Sequence, residues 1–419
     1  MKILVVTMYY YPEPFRITDI CEQLVKRGHS VDVITSVPNI PDGEFYHGYG
    51  WFKHGERKRG GVNIERVNVI KRGRDKPVRL VLNCASYAVN ALFHLPKLKH
   101  NGYDVIFVFN NSPVSTIYPA KLLAKQMGIP HVVFVLDIWP DSMYLLLHKP
   151  IRAKETLLRK ISLEVSRWLY RGAQTLLISS KGMEGRLREM GLRNDVEYFP
   201  NYAEPESEEA KTSAITRGEL GLEDGDTVIG FAGNIGKAQG LSAVIDAAEK
   251  LKNKQSLKFM IAGDGSELLN LKEAARLQNV EDMFVFTGWV ESEMLPQYMA
   301  LCDVALACLK DNETLNLVLP AKIQTYMHAG IPIIAFMNGE GARTVTEARC
   351  GFCAAAEDAE ALCSAIEEAT ACDRGQLRLL GDNGRHYCEE HFNREQILSD
   401  LERYLEQAVE KHRLNAGKS

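Results

Sequence analysis

Apolar, β-branched runs recur along the chain: Ile3–Thr7, Val31–Thr35, Val62–Val67, Val105–Phe109, Val132–Leu136 and Thr175–Ser179, then Val228–Gly233, Leu257–Ala262, Met283–Thr287, Val304–Leu309 and Ile331–Phe336. They are apolar throughout rather than alternating, as in parallel strands covered by helices on both faces. The intervals between most of them have helical spacing; Ile17, Ile20, Cys21 and Leu24 share one face ahead of Gly28. This alternation predicts an α/β chain of two Rossmann-like, doubly wound domains. The polar, Pro-containing stretch from Asn201 breaks the rhythm. It divides an N-terminal domain over 1–200 from a second over 216–390, with 201–215 as the linker. Ile397, Leu401, Tyr404, Leu405 and Val409 share a face of a final helix within 391–419, expected to pack back toward the N-terminal domain.

At 46% apolar and 25% charged, the 419-residue chain has a full core, which excludes a disordered, collagen-like or disulfide-scaffold protein. No stretch of about 20 residues reads as apolar enough to span a bilayer. The start, Met1-Lys2-Ile3-Leu4, runs into a strand without a signal-peptide cleavage site, so a cytoplasmic protein is expected. Nine scattered cysteines read as reduced thiols; Cys350 and Cys353 have C-x-x-C spacing but no second pair to complete a zinc site. Charge is divided unevenly. Residues 1–203 hold 29 Lys and Arg against 18 Asp and Glu, and the rest holds 21 against 36. Two domains with different partners follow.

Ligands of open α/β sheets bind beyond the carboxyl ends of the strands, and two such domains facing one another would form a cleft there. In the second half, one strand ends in Gly233-Asn234-Ile235-Gly236-Lys237-Ala238-Gln239-Gly240. Glycines at a strand-to-helix junction let the backbone approach a phosphate, and Lys237 adds a mobile positive charge. Ala262-Gly263-Asp264-Gly265 and Thr287-Gly288-Trp289-Val290 close the next two strands with small residues, leaving room for a base and ribose. A further helix N-terminus is expected near Leu317–Leu319, ahead of Pro320 and ending at Gly330. Two helix N-termini and a lysine suffice to hold a pyrophosphate without a metal.

Taken in order, GNIGKAQG, AGDG, FTGWV and LPAKIQTYMHAGIPII resemble the donor half of the family 4 retaining glycosyltransferases, which have the GT-B fold. Tyr9-Tyr10-Tyr11-Pro12-Glu13-Pro14, Val37-Pro38-Asn39-Ile40-Pro41-Asp42-Gly43 and Asp137-Ile138-Trp139-Pro140-Asp141-Ser142 extend the likeness to the first half. There they are similar to a bacterial branch that includes N-acetylfucosamine transferases of O-antigen and capsule assembly. The resemblance implies sugar transfer with retention from a nucleotide sugar, with UDP and an N-acetylated amino sugar expected. The acceptor it implies is a lipid-diphosphate-linked glycan or oligosaccharide, and no cofactor or essential metal is expected. It puts the donor pyrophosphate near Gly233, Asn234, Lys237 and Gln239, the nucleoside near Asp264, Trp289 and Val290, and the phosphates or ribose near Leu317, Lys322 and Thr325. Where many members have Arg and Lys, this chain has Asn234 and Gln239. Where a pair of glutamates is common, it has Leu317 and Thr325.

The resemblance also makes Asp137 the preferred catalytic residue, with a helix cap or loop hydrogen bond as the alternative. Trp139 is expected on the acceptor side, and Glu13, in the first loop, either approaches the acceptor or is a solvated loop charge. Residues 53–79 carry ten Lys and Arg against three acids, Val78 to Leu95 follow as an amphipathic apolar stretch, and Lys149–Arg171 is again basic. Basic and apolar surface together fit the anionic inner face of a cell membrane, whereas no motif points to nucleic acid. Two other readings stay open at this point: a GT-B nucleotide-sugar epimerase, which would need no acceptor, and a non-catalytic scaffold, which would bind no nucleotide.

Overall fold

The computed structural model describes residues 1–73, 77–146, 157–202, 215–291 and 293–417. The chain forms two compact units, Met1–Pro200 with Glu395–Ser419, and Asn201–Arg394. Most of the expected 201–215 linker, and part of the second basic stretch, lie outside the described residues.

In the first unit, eight strands lie in the order Asp195–Tyr198, Thr175–Ile178, His131–Val135, Val105–Asn110, Lys2–Thr7, Ser30–Ser36, Val62–Val67 and Lys58–Arg59. All pair in parallel except the last. Lys2–Thr7 is buried on both faces from Ile3 on, which explains its unbroken apolar run. The helix Arg394–Ala416 packs on this unit: Glu402 pairs with Arg27 at 2.6 Å and His29 at 2.7 Å, and the Tyr404 hydroxyl donates to the Tyr198 carbonyl.

The second unit is a six-stranded parallel sheet in the order Phe284–Gly288, Leu257–Ala262, Thr227–Ala232, Val304–Cys308, Ile333–Phe336 and Gly351–Ala354. The strand order reverses between Thr227–Ala232 and Val304–Cys308. Loops leaving these two strands diverge and open the crevice in which such sheets bind ligands. In the first sheet the reversal falls between Lys2–Thr7 and Val105–Asn110.

The structure corrects two sequence expectations. The helix Val78–Lys99 is long and apolar enough to cross a membrane by length and composition, with a mean hydropathy of 1.2. Its inner face nevertheless closes the sheet: Asn83, Tyr87 and Ala91 are fully buried, and the Tyr87 hydroxyl donates to the carbonyls of Thr7 and Ile34. The high hydropathy arises because the outer face is apolar as well, with Val78, Val81 and Phe93 exposed. The second correction concerns Leu317–Leu319. These residues begin no long helix; Leu315–Leu317 is a single 3-10 turn, extended Pro320 interrupts the backbone, and the helix runs Ala321–Ala329.

Candidate active site

At the carboxyl edge of the second sheet, the strand Thr227–Ala232 delivers the chain into a turn that only glycine can make. Gly233 has a φ of +123°. A Cβ there would stand 3.1 Å from the Nζ of Lys322. The turn is pressed onto its neighbour: the Ile235 amide donates to the Asp264 carbonyl, and the Glu267 amide donates back to Ile235. Gly263, at φ +144°, lies so close that a Cβ would meet the Gly233 carbonyl oxygen at 2.0 Å. The small residues closing these two strands are therefore required by packing, and they leave the backbone itself as the floor of the crevice.

Lys322 enters this floor from the helix Ala321–Ala329. Its ammonium nitrogen is shut off from solvent, finds no hydrogen-bond partner among the described residues, and lies 3.4 Å from the centre of the Phe231 ring. Burial pushes its pKa down to about 8. The next turn of the same helix is tied to the strand by the Ala232 amide, which donates to the Tyr326 hydroxyl at 3.1 Å.

The other expected donor residues are arranged less uniformly. Gln239 turns its carboxamide inward to accept from the Gly236 amide at 3.1 Å, so it shapes the turn. Asn234, Lys237 and Asp264 are exposed at the rim, where Asp264 accepts from the Gly265 amide. Trp289 is exposed, while Val290 packs partly against the core. Leu317 sits half-buried in the 3-10 turn, and the Thr325 hydroxyl donates to the carbonyl of Ala321 in its own helix.

A second group of polar residues gathers at the carboxyl edge of the first sheet. Asp137 follows the strand His131–Val135 and accepts from the Ser112 hydroxyl at 2.7 Å. The Trp139 indole donates to the same Ser112 oxygen at 2.9 Å, and the Tyr170 hydroxyl donates to the Asp137 carbonyl. Burial holds the Asp137 carboxyl above its ordinary range, while the Ser112 hydrogen bond pulls the other way. Asp141, four residues on, is engaged by Arg186 at 2.6 and 3.1 Å and is a structural ion pair.

Two family models match the chain: "Glycosyl transferase 4-like domain" over residues 15–202 and "Glycosyl transferases group 1" over 226–371. Together they span most of it. The chain is a glycosyltransferase of GT-B fold. It is 27% identical over 414 residues to the putative colanic acid biosynthesis glycosyl transferase WcaI of Escherichia coli K12, covering 95% of this chain and 98% of that one. Among solved structures, sucrose-phosphate synthase from Thermosynechococcus elongatus superposes with a TM-score of 0.72 at 16% identity, covering 97% of this chain and 98% of that one. Anabaena HepE in complex with UDP does so with 0.70 at 16%, covering 97% and 100%.

Sequence reasoning passed over several residues of this glycosyltransferase. Ser112, which joins Asp137 to Trp139, stands in Asn110-Asn111-Ser112-Pro113 directly after an apolar strand, and that position was the available signal. Phe231 was indistinguishable from any core aromatic. Glu13, expected on the acceptor side, is instead 2% exposed, and its Oε1 accepts from the amides of Asn39 and Ile40, both at 2.9 Å.

Burial raises the Glu13 carboxyl to about 7, outweighing those amides. A carboxyl raised on folding contributes most below its unfolded pKa and loses that contribution as pH rises through the folded one. The Glu13→Gln variant lacks this loss. Its melting temperature is expected to gain on the wild type between about pH 5 and 8, by the equivalent of about 2 to 3 kcal/mol. Thermal unfolding across pH measures this, and parallel curves would reject it.

Proposed function

We propose that this glycosyltransferase moves a sugar from a UDP-sugar, with retention, to a lipid-linked or oligosaccharide acceptor in the assembly of a bacterial surface polysaccharide. The observation that carries the reading is the second unit's edge. Glycine-lined backbone and a desolvated, unpartnered lysine meet there at the switch point of a parallel sheet, an arrangement fit for a diphosphate. HepE, of the same fold, was solved with UDP, and WcaI is named for colanic acid synthesis. The N-acetylated amino sugar, the O-antigen or capsule setting and the kinship with N-acetylfucosamine transferases rest on the motif resemblance.

The chain's own chemistry is then positioning and charge stabilisation. Amides of the Gly233 turn and Lys322 hold the departing diphosphate, with Lys237 at the rim as a second cation. A phosphate oxygen of the leaving group takes the acceptor hydroxyl's proton on the face from which it departs, so no strong protein base is needed. Asp137, oriented by Ser112, serves the reacting sugar. We propose no essential metal, as the motif resemblance implies.

The first unit is the membrane-facing one in this reading, at the inner leaflet. Val78, Val81 and Phe93 on one helix and Leu157, Ile161 and Trp168 on another are exposed, and the sequence around them is basic. The test is UDP release from a panel of UDP-sugars, with and without anionic vesicles carrying a diphosphate-linked glycan. Release that requires the acceptor, together with salt-sensitive binding to the vesicles, is expected. A free epimerised nucleotide sugar formed without acceptor would overturn transfer, and full recovery of the protein in the soluble fraction at low salt would overturn the membrane assignment.

A further inference from the structure

The amine of Lys322 is more enclosed than a phosphate ligand needs to be. It is bounded by the Phe231 ring and the Gly233 backbone, and no hydrogen-bond acceptor reaches it among the described residues. We propose that Lys322 is the cation against which the donor diphosphate closes, and that it binds the ligand by taking up a proton from solvent. The proposal rests on the reading of this edge as the nucleotide site.

The surroundings of the amine show why its charge depends on the ligand. From the strand Val304–Cys308 it faces the Cys308 thiol, which burial pushes up to about 12. On its own helix the nearest titratable group is the Tyr326 phenol, held by burial above its ordinary range. Both are neutral near pH 7 and supply no anion. The turn after Thr227–Ala232 contributes Lys237, itself cationic and exposed, and the uncharged Asn234 and Gln239. Burial opposes the charge and brings the free amine to about 8, where it is half neutral, while the face of Phe231 attracts the ammonium form.

A diphosphate seated on the Gly233 turn brings several negative charges to this nitrogen. An opposite charge at such a range raises an amine's pKa by about 1 to 3 units. The neutral fraction of Lys322 must therefore gain a proton as the complex forms, and that proton becomes the bond between amine and phosphate oxygen. Above pH 8 the free protein carries less of the binding-competent ammonium, and affinity falls with it.

Titration calorimetry of the full chain with UDP, near pH 7 and near pH 8.5 and in two buffers of different ionisation enthalpy, reads the proton count directly. The wild type is expected to take up about 0.7 proton per UDP near pH 8.5 and about 0.1 near pH 7. Its affinity should fall by about fivefold between pH 8 and pH 9. Lys322→Met should lose most of the affinity together with the proton uptake. Lys322→Arg, always charged, should show no uptake at either pH. The wild-type proton count does not depend on whether either variant folds. UDP binding with flat affinity and no uptake up to about pH 9 would overturn the proposal while leaving the nucleotide site in place. Unchanged uptake in folded Lys322→Met would overturn it as well, by assigning the proton elsewhere. Failure of UDP to bind near pH 7 would overturn the underlying reading, and this inference with it.

Discussion

Replacing Gly263 by alanine is expected to destabilise the second unit by about 3 kcal/mol or more and to abolish measurable nucleotide binding. The added Cβ would fall 2.0 Å from the Gly233 carbonyl oxygen, and the φ of +144° is itself strained for any residue with a side chain. Neither backbone can yield without moving the turn that faces Lys322, because the Ile235 amide and the Asp264 carbonyl tie the two loops together at 2.9 Å. Gly221→Ala is the informative comparison. Gly221 lies in the same unit at φ +69° with nothing within 4 Å of its would-be Cβ, so only the conformational cost of about 1 kcal/mol applies. Thermal unfolding and UDP titration of the two variants measure the difference; equal losses would show that close approach of the loops is not what glycine provides at 263.

Asp137→Asn should lower turnover about 100-fold while leaving the affinity for UDP within about twofold. Asparagine keeps the shape and can still accept from Ser112, so the substitution removes charge and little else. A partly desolvated carboxylate at the sheet edge is worth more to a developing positive charge on a sugar ring than the same group in water. The split between turnover and affinity is the signature, since a merely structural Asp137 would alter both or neither. Steady-state kinetics with the preferred UDP-sugar would decide it, and an unchanged rate would return Asp137 to the role of a loop hydrogen-bond acceptor.

The strands that build both cores were readable because burial on both faces demands unbroken apolar runs, as in Ile3–Thr7 and Leu257–Ala262. The strand Asp195–Tyr198 escaped that reading because it is an edge strand, half-buried and polar at Asp195 and Glu197. The Gly233 turn announced itself through glycines at the end of a strand, a local signal. What Lys322 touches is not local: Phe231 lies far away in sequence, and only the sheet brings the two together. The expected helix start at Leu317–Leu319 failed for a local reason, since a proline at position 320 fits a first helical turn and an interruption equally well. Glu13 shows the opposite limit, because a carboxylate in a proline-rich loop gives no sign in sequence of whether it faces solvent or pins backbone amides. The amphipathic stretch expected from Val78 to Leu95 is apolar on its outer face too, with Val78, Val81 and Phe93 exposed, and spacing alone does not show how far an apolar stripe extends around a helix.

In the proposed mechanism the second unit grips an activated sugar by its diphosphate. A crystal structure of the protein with UDP tests this most directly. Phosphate oxygens should lie within about 3 Å of the Lys322 amine and against the amides of the Gly233 turn. Density for UDP at the carboxyl edge of the first sheet instead, with the Gly233 turn and Lys322 untouched, would contradict it.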